Sequence, residues 1–180
     1  NLFKVKKMSR TIIQWLAIVL AAITPILVVF GAGLLLPSFK NNTKPSKDPV
    51  IQPPNWIFSV VWTYLTLALG IVTAVFLYQM NNDVPAQFCL VAVYSCILIT
   101  WVCWMALYPV SHKLGFVSLL VSIAFSVSFL IILSLYGKLY VWAFFPVCIW
   151  LAYAASINAV SIENDLKPEI PSASPPVIIF

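Results

Sequence analysis

Charge is what this chain has least of. Between Asp48 and Glu163 the only formally charged residues are Asp83, Lys113 and Lys138. Charged residues make up 8% of the sequence and hydrophobic ones 62%, where a soluble domain carries about 25% charged. A chain of 180 residues so composed cannot cover a water-soluble globule with polar side chains, so the bilayer is its solvent. The long apolar runs contain no Asp, Glu, Lys, Arg or His. That removes the usual materials of a proton relay or an ion path and the usual general acid and base. The one histidine, His112, stands beside Lys113 in a loop with no cysteine or carboxylate near it in sequence. It reads as an exposed interfacial residue and offers no zinc or catalytic constellation. No cofactor, no metal and no enzymatic activity are expected. The net charge of +5 is no nucleic-acid footprint either. Four of the ten basic residues, Lys4, Lys6, Lys7 and Arg10, simply flank the first apolar run.

What is there is apolar sequence, cut at regular intervals. The breaks leave segments of about one membrane span, ~20 residues, and predict five helices over 11–36, 56–78, 85–108, 115–136 and 139–162. The runs are continuously apolar rather than alternating, which excludes barrel strands. The fold class is an all-α membrane protein, a five-transmembrane-helix bundle with a long first loop. Residues 1–10 form a basic tail, 11–162 one membrane domain, and 163–180 a disordered tail rich in Pro and Ser. The first run exceeds the ~7–15 apolar residues of a signal peptide and is read as a retained helix. At ~1.5 Å per residue it reaches ~39 Å, so tilt must absorb the excess over a ~30 Å hydrocarbon core. Pro25 is expected to kink it or loosen one turn. Short loops at 81–85, 111–115 and 136–138 imply antiparallel neighbours. The segment 37–55 holds five of the thirteen prolines and serves as a lid over the bundle or as a plain tether.

Cys89, Cys96 and Cys103 are spaced seven apart and form one helical stripe. Small, buriable cysteines suit close packing; redox and metal roles are the alternatives. With Cys148, all four lie inside predicted spans, so no disulfide is expected. Asn158 in the fifth span costs free energy unless it is paired, either with a neighbouring helix or with a ligand. Aromatic surface is abundant, with seven Trp, seven Tyr and twelve Phe. An interfacial belt accounts for Trp15, Trp56 and Trp142 near predicted helix ends. Trp62 and Trp150 lie deeper, and Trp101 and Trp104 share one helix face. Aromatics converging inside a bundle make a flat-walled slot for a planar polycyclic ligand.

Three stretches carry a resemblance. PPNWIFSVVWTYLTLALG at 53–70 resembles a pattern Pro-Pro-x-Trp-x-Phe-x-Pro-Val-Trp-Thr-x-Leu-Tyr-x-x-x-Gly, with Val60 in place of its third proline and Thr66 in place of its tyrosine. YSCILITWVCWMALY at 94–108 matches at Tyr94 and Trp104 but has Ile97 and Trp101 where glutamine and asparagine are usual. PVCIWLAYAASIN at 146–158 matches at Pro146, Trp150, Ala154 and Asn158. Three blocks, in order and in separate predicted helices, resemble the TspO/MBR family of tryptophan-rich sensory and translocator proteins.

The resemblance implies a five-helix protein that takes tetrapyrroles such as porphyrin, sterols or aromatic drugs inside the bundle beneath the first loop. By matching positions, the implied ligand-binding residues are Phe58, Trp62, Trp104, Phe116, Trp150, Ala154 and Asn158. It also implies membrane lipid as a partner, a homodimer through the third helix, and a home in the mitochondrial outer membrane, the endoplasmic reticulum or a bacterial envelope. Ala159 and Glu163 stand where the sterol-recognition pattern needs a tyrosine and a basic residue, so that motif is not expected. Ile97 and Trp101 make the slot more apolar, and tetrapyrrole binding is expected to be weak. A membrane scaffold or complex subunit with no small ligand is the competing reading, and a transporter lacks supporting charges.

Five spans place the termini on opposite faces. Lys4, Lys6, Lys7, Arg10 and Lys138 fall on one side; Lys40, Lys44, Lys47, Lys113 and Lys167 fall on the other. Were Met8 the start, two basic residues would face five, and basic residues near helix ends favour the cytoplasm. Taken whole the count is a draw, and the clustered N-terminal charges favour a cytoplasmic N-terminus; with the Met8 start and by the resemblance to mitochondrial members, the segment 37–55 is predicted to face the cytoplasm. Protease applied to sealed vesicles of known orientation should cut it from that side; cleavage from the opposite side alone contradicts the assignment.

Overall fold

The computed structural model describes residues 2–35, 54–79, 83–136 and 138–166, without the side chains of 2–14, 55, 136 and 138. Five helices make up the fold: α1 (Leu2–Leu35), α2 (Asn55–Gln79), α3 (Val84–Leu107), α4 (His112–Tyr136) and α5 (Lys138–Leu166). There is no strand among the described residues. Each helix holds a stretch long and apolar enough to cross a membrane. In hydrocarbon every backbone amide must find its partner within the segment, and helices achieve this.

The boundaries differ from the sequence expectation at instructive points. α1 begins within the basic tail and runs through Pro25 without a break. α4 starts three residues earlier than expected, because Ser111 caps it by accepting the Leu114 N–H at 3.5 Å. Asp83 caps α3 in the same way, accepting the Ala86 N–H at 3.1 Å, with Pro85 at the start of the helix. Serine and aspartate satisfy helix N-termini that would otherwise be orphaned. α5 continues four residues past its expected end, through Glu163 and Asp165. The remainder of the expected tail lies outside the described residues, as does the proposed lid up to Pro53.

Packing sets the order of helices around the bundle. α1 lies against α2, α2 against α5, α5 against α4, α4 against α3, and α3 closes on α1; α2 and α3 touch only slightly across the middle. The ring is therefore 1-2-5-4-3. All neighbours are antiparallel except α1 and α3, which run in the same direction. A short connection does not make α2 and α3 close partners, whereas α1 and α2, joined by the longest one, pack extensively. α1 is peripheral: only 11% of its span is buried, against 56% of the span in α2. The outer surface of the described residues is largely apolar, with Leu27, Phe30, Ile131 and Ile149 exposed, as a lipid-facing surface requires. Trp15, Trp56 and Trp142 are also exposed, the first and last near one end of the bundle and Trp56 at the other.

The cysteine stripe turns away from the core of the bundle. Cys89 and Cys103 are exposed and Cys96 is half-buried; all four thiols are free. The core face of α3 is instead Leu90, Tyr94, Ile97, Leu98, Trp101 and Met105. The cysteines lie a residue or two away from these positions, about 100° around the helix per residue, and so turn outward.

Most hydroxyls within the helices spend their donors on carbonyls; buried Ser122 and Ser126 have no partner. Thr73 donates to Leu69 O at 2.7 Å within its own helix. Tyr94 donates from α3 to Ala21 O of α1 at 2.9 Å, Tyr64 from α2 to Ala143 O of α5 at 3.0 Å, and Ser118 from α4 to Thr100 O of α3 at 3.0 Å. Gln79 also bonds Tyr140 across α2 and α5. The tightest approach is between α1 and α2. A Cβ added at Gly70 would lie 2.4 Å from the Ala22 carbonyl oxygen, backbone that cannot swing aside. Small residues let membrane helices approach this closely. Gly70→Ala is expected to destabilise the bundle by about 1–3 kcal/mol, the usual cost of overpacking. A thermal melt in detergent reads it as a lowered midpoint; an unchanged midpoint would show that α1 is not docked here.

Candidate functional site

Ring pairs Phe76–Tyr140 and Phe129–Phe144 fill the core where α5 begins, and a larger set, with the tryptophans, lies toward the end where α1 and α3 finish and α2 and α4 begin. Phe58 and Trp62 are four apart on α2 and so lie on one face. Trp62 stacks on Trp104 of α3 with centroids 5.6 Å apart and planes 19° from parallel. It also meets Trp101 at 5.2 Å and 88°, nearly perpendicular. Phe58 meets Trp150 of α5 edge-on at 5.4 Å and 75°, and Trp150 continues to Tyr153 at 5.4 Å. From Trp104 the chain of rings runs outward to Tyr108 at 5.6 Å and then to His112 at 5.0 Å. Two ring sets thus flank the bundle interior, joined through Phe58 and Trp62. Offset and edge-on pairs of this kind are favoured by the ring quadrupoles.

At the rim, His112 Nδ1 lies 2.7 Å from Asp165 Oδ2. This contact corrects the reading of His112 as an isolated exposed residue. Its carboxylate partner is 53 residues away in sequence and adjacent in space, and the pair ties the α3–α4 corner to the end of α5. Asp165 is 56% exposed, and pairs so placed contribute at most about 1 kcal/mol. Among the described residues no group of His, Cys, Asp and Glu could hold a metal.

Of the residues singled out from sequence, Phe58, Trp62, Trp104 and Trp150 fall within the two ring sets. Phe116 packs against the core from the second turn of α4 rather than stacking on these rings. Ala154 and Asn158 are buried, one and two turns beyond Trp150 on the same face of α5. Sequence reasoning gave Tyr108, Tyr153 and Asp165 no part in the site, read His112 as merely interfacial, and placed Trp101 beside Trp104 on the slot face without naming it among the ligand-binding residues. The pair Trp101 and Trp104, already legible as sharing a helix face, was the available signal.

Four buried polar atoms in this region have no partner: Nε1 of Trp101, Trp104 and Trp150, and Oδ1 of Asn158. Asn158 is 1% exposed and spends its amide on Ala154 O at 3.3 Å, so its carbonyl oxygen remains an open acceptor. An unmet buried group costs about 1–3 kcal/mol. The interior therefore offers donors and one acceptor, within apolar walls, to whatever enters.

Helices and rings together define the class: a multi-pass integral membrane protein with a cluster of interior tryptophans toward one end of the bundle. The TspO/MBR family model matches residues 15–162, which takes in membrane-spanning sequence from all five helices, and the chain belongs to that family. No curated protein and no solved structure matches it.

If Asn158 Oδ1 serves a ligand rather than the fold, Asn158→Leu should raise the ligand-free thermal midpoint by an amount worth about 1 kcal/mol, since an uncompensated polar group is removed. A lowered midpoint in detergent would assign Asn158 to helix packing.

Proposed function

We propose that the chain binds a hydrophobic polycyclic ligand, of the tetrapyrrole, sterol or drug-like aromatic kind, between Trp62 and Trp104 on one side and Phe58, Trp150 and Ala154 on the other. The ligand is held, sensed or passed on rather than chemically changed. The observation that carries this reading is the set of buried, unpaired polar atoms in an aromatic-walled interior: Trp104 and Trp150 Nε1 as donors and Asn158 Oδ1 as acceptor. A scaffold interior gains nothing from leaving them unmet, whereas a ligand bearing a carbonyl and an N–H or O–H pairs them. Membership of the TspO/MBR family supports the ligand class. Charged side chains stand only at the ends of the spans, as Lys113, Glu163 and Asp165 do, so the part of the ligand that enters the apolar middle is neutral and reaches the site from the bilayer or from the end beside Tyr108.

Protoporphyrin added to the detergent-solubilised protein is expected to quench tryptophan fluorescence saturably in the micromolar range, ~8 kcal/mol of binding. Quenching that rises without saturation is partition into the micelle. That result would favour a structural membrane subunit over a receptor.

A further inference from the structure

We propose that Trp101 is a specificity-determining residue that closes the inner end of the aromatic site and disfavours the larger of the polycycles admitted. The inference deepens the ligand-binding reading and rests on it.

Trp101 lies one turn deeper than Trp104 on α3, toward the middle of the bundle. It is fully buried, the largest side chain in the protein that is. Its ring stands nearly perpendicular to Trp62, while Trp104 covers a face of Trp62. Trp62 is thus pinned by two indoles at once, and it cannot turn to widen the slot without losing both contacts. Behind Trp101 the same helix presents Ile97 and Leu98, both buried, so the space beyond is filled with aliphatic core. A planar molecule entering past Tyr108 and Trp104 meets the Trp101 indole as its back wall.

The chemistry of the residue argues against simple filling. A buried tryptophan normally finds an acceptor for its N–H, and phenylalanine or leucine would fill core without that requirement. Here Nε1 is unpaired, as it is in Trp104 and Trp150. A fully buried indole with an idle donor, packed edge-on against Trp62, is placed to wall off the inner end of the ligand site from the core behind it. Its width disfavours large macrocycles without shutting them out, and its N–H offers a smaller ligand a hydrogen bond at the inner end.

The test uses the full chain in detergent with Trp101→Leu, Trp101→Asn and Trp101→Phe. The probes are protoporphyrin and the three-ring aromatic acridine, both followed by their own fluorescence. Trp101→Leu and Trp101→Asn are expected to tighten protoporphyrin about tenfold, equivalent to ~1.4 kcal/mol, with acridine unchanged. Trp101→Phe, which keeps a ring, is expected to retain most of the exclusion. Protoporphyrin affinity that is unchanged or weaker in the Leu and Asn variants overturns the proposal, as does a parallel gain for acridine, which would signal general loosening. If neither the Leu nor the Asn variant gives a cooperative melt, Trp101 is a core residue and the proposal also falls. The two readings separate cleanly. A natural chain that binds neither probe beside a Leu variant that takes protoporphyrin would refute the ligand-binding reading and uphold the barrier. A natural chain that binds acridine beside variants with no gain for protoporphyrin would do the reverse, and no binding by any form refutes both.

Discussion

Water is missing from the hydrocarbon interior of a bilayer, and the structure follows from that one constraint. Every backbone amide has to be paired locally, which makes five unbroken helices the available solution. Side-chain hydroxyls meet the same demand. Thr24, Thr63, Thr66, Ser95 and Ser128 each donate to the carbonyl four residues earlier. Bonds between helices are few, and the best placed of them run from Tyr64, Tyr94 and Ser118 to backbone oxygens. Apolar side chains gain little by leaving lipid for one another. Shape must then hold the bundle together, and the contact of Gly70 with the Ala22 backbone is its closest instance.

Within that constraint the site is the exception. Ser122, Ser126, Asn158 and three indoles leave buried polar atoms unpaired, in a chain whose other hydroxyls and amides are met with some care. The ring-lined exceptions lie toward the end where α2 and α4 begin. The rings there pack on one another and on the aliphatic core as well, and rigid, flat side chains of this kind have little conformational entropy to lose.

The fold was largely legible because charge is so scarce: three charged residues in more than a hundred mark the loops by themselves. What hydropathy reports, however, is the membrane and not the helix. α4 begins at His112 and α5 ends at Leu166 because Ser111 caps one and the polar residues after Ile162 simply continue the other into water. Periodicity placed Cys89, Cys96 and Cys103 on one stripe but could not say which way it faces, since lipid and core are equally apolar. Loop length gave the direction of successive helices and not their contacts, which is why α2 and α3 proved only slight partners. His112 and Asp165 lay too far apart in sequence to be joined by inspection.

Trp101 shows a different limit. Compared with a family pattern, it reads as the loss of an amide, a statement about the chemistry removed. The structure adds the space taken up. An asparagine replaced by the largest side chain, at a fully buried position in contact with a slot wall, changes volume more than polarity. Buried positions tolerate hydrophobic exchange best when volume is conserved, so so large a ring is accommodated only where the surroundings have room for it. Trp101 reaches from α3 to the Trp62 ring of α2, between two helices that touch only slightly. The weak contact that a short connection failed to foretell therefore leaves the width between these two helices to be filled by indole rings.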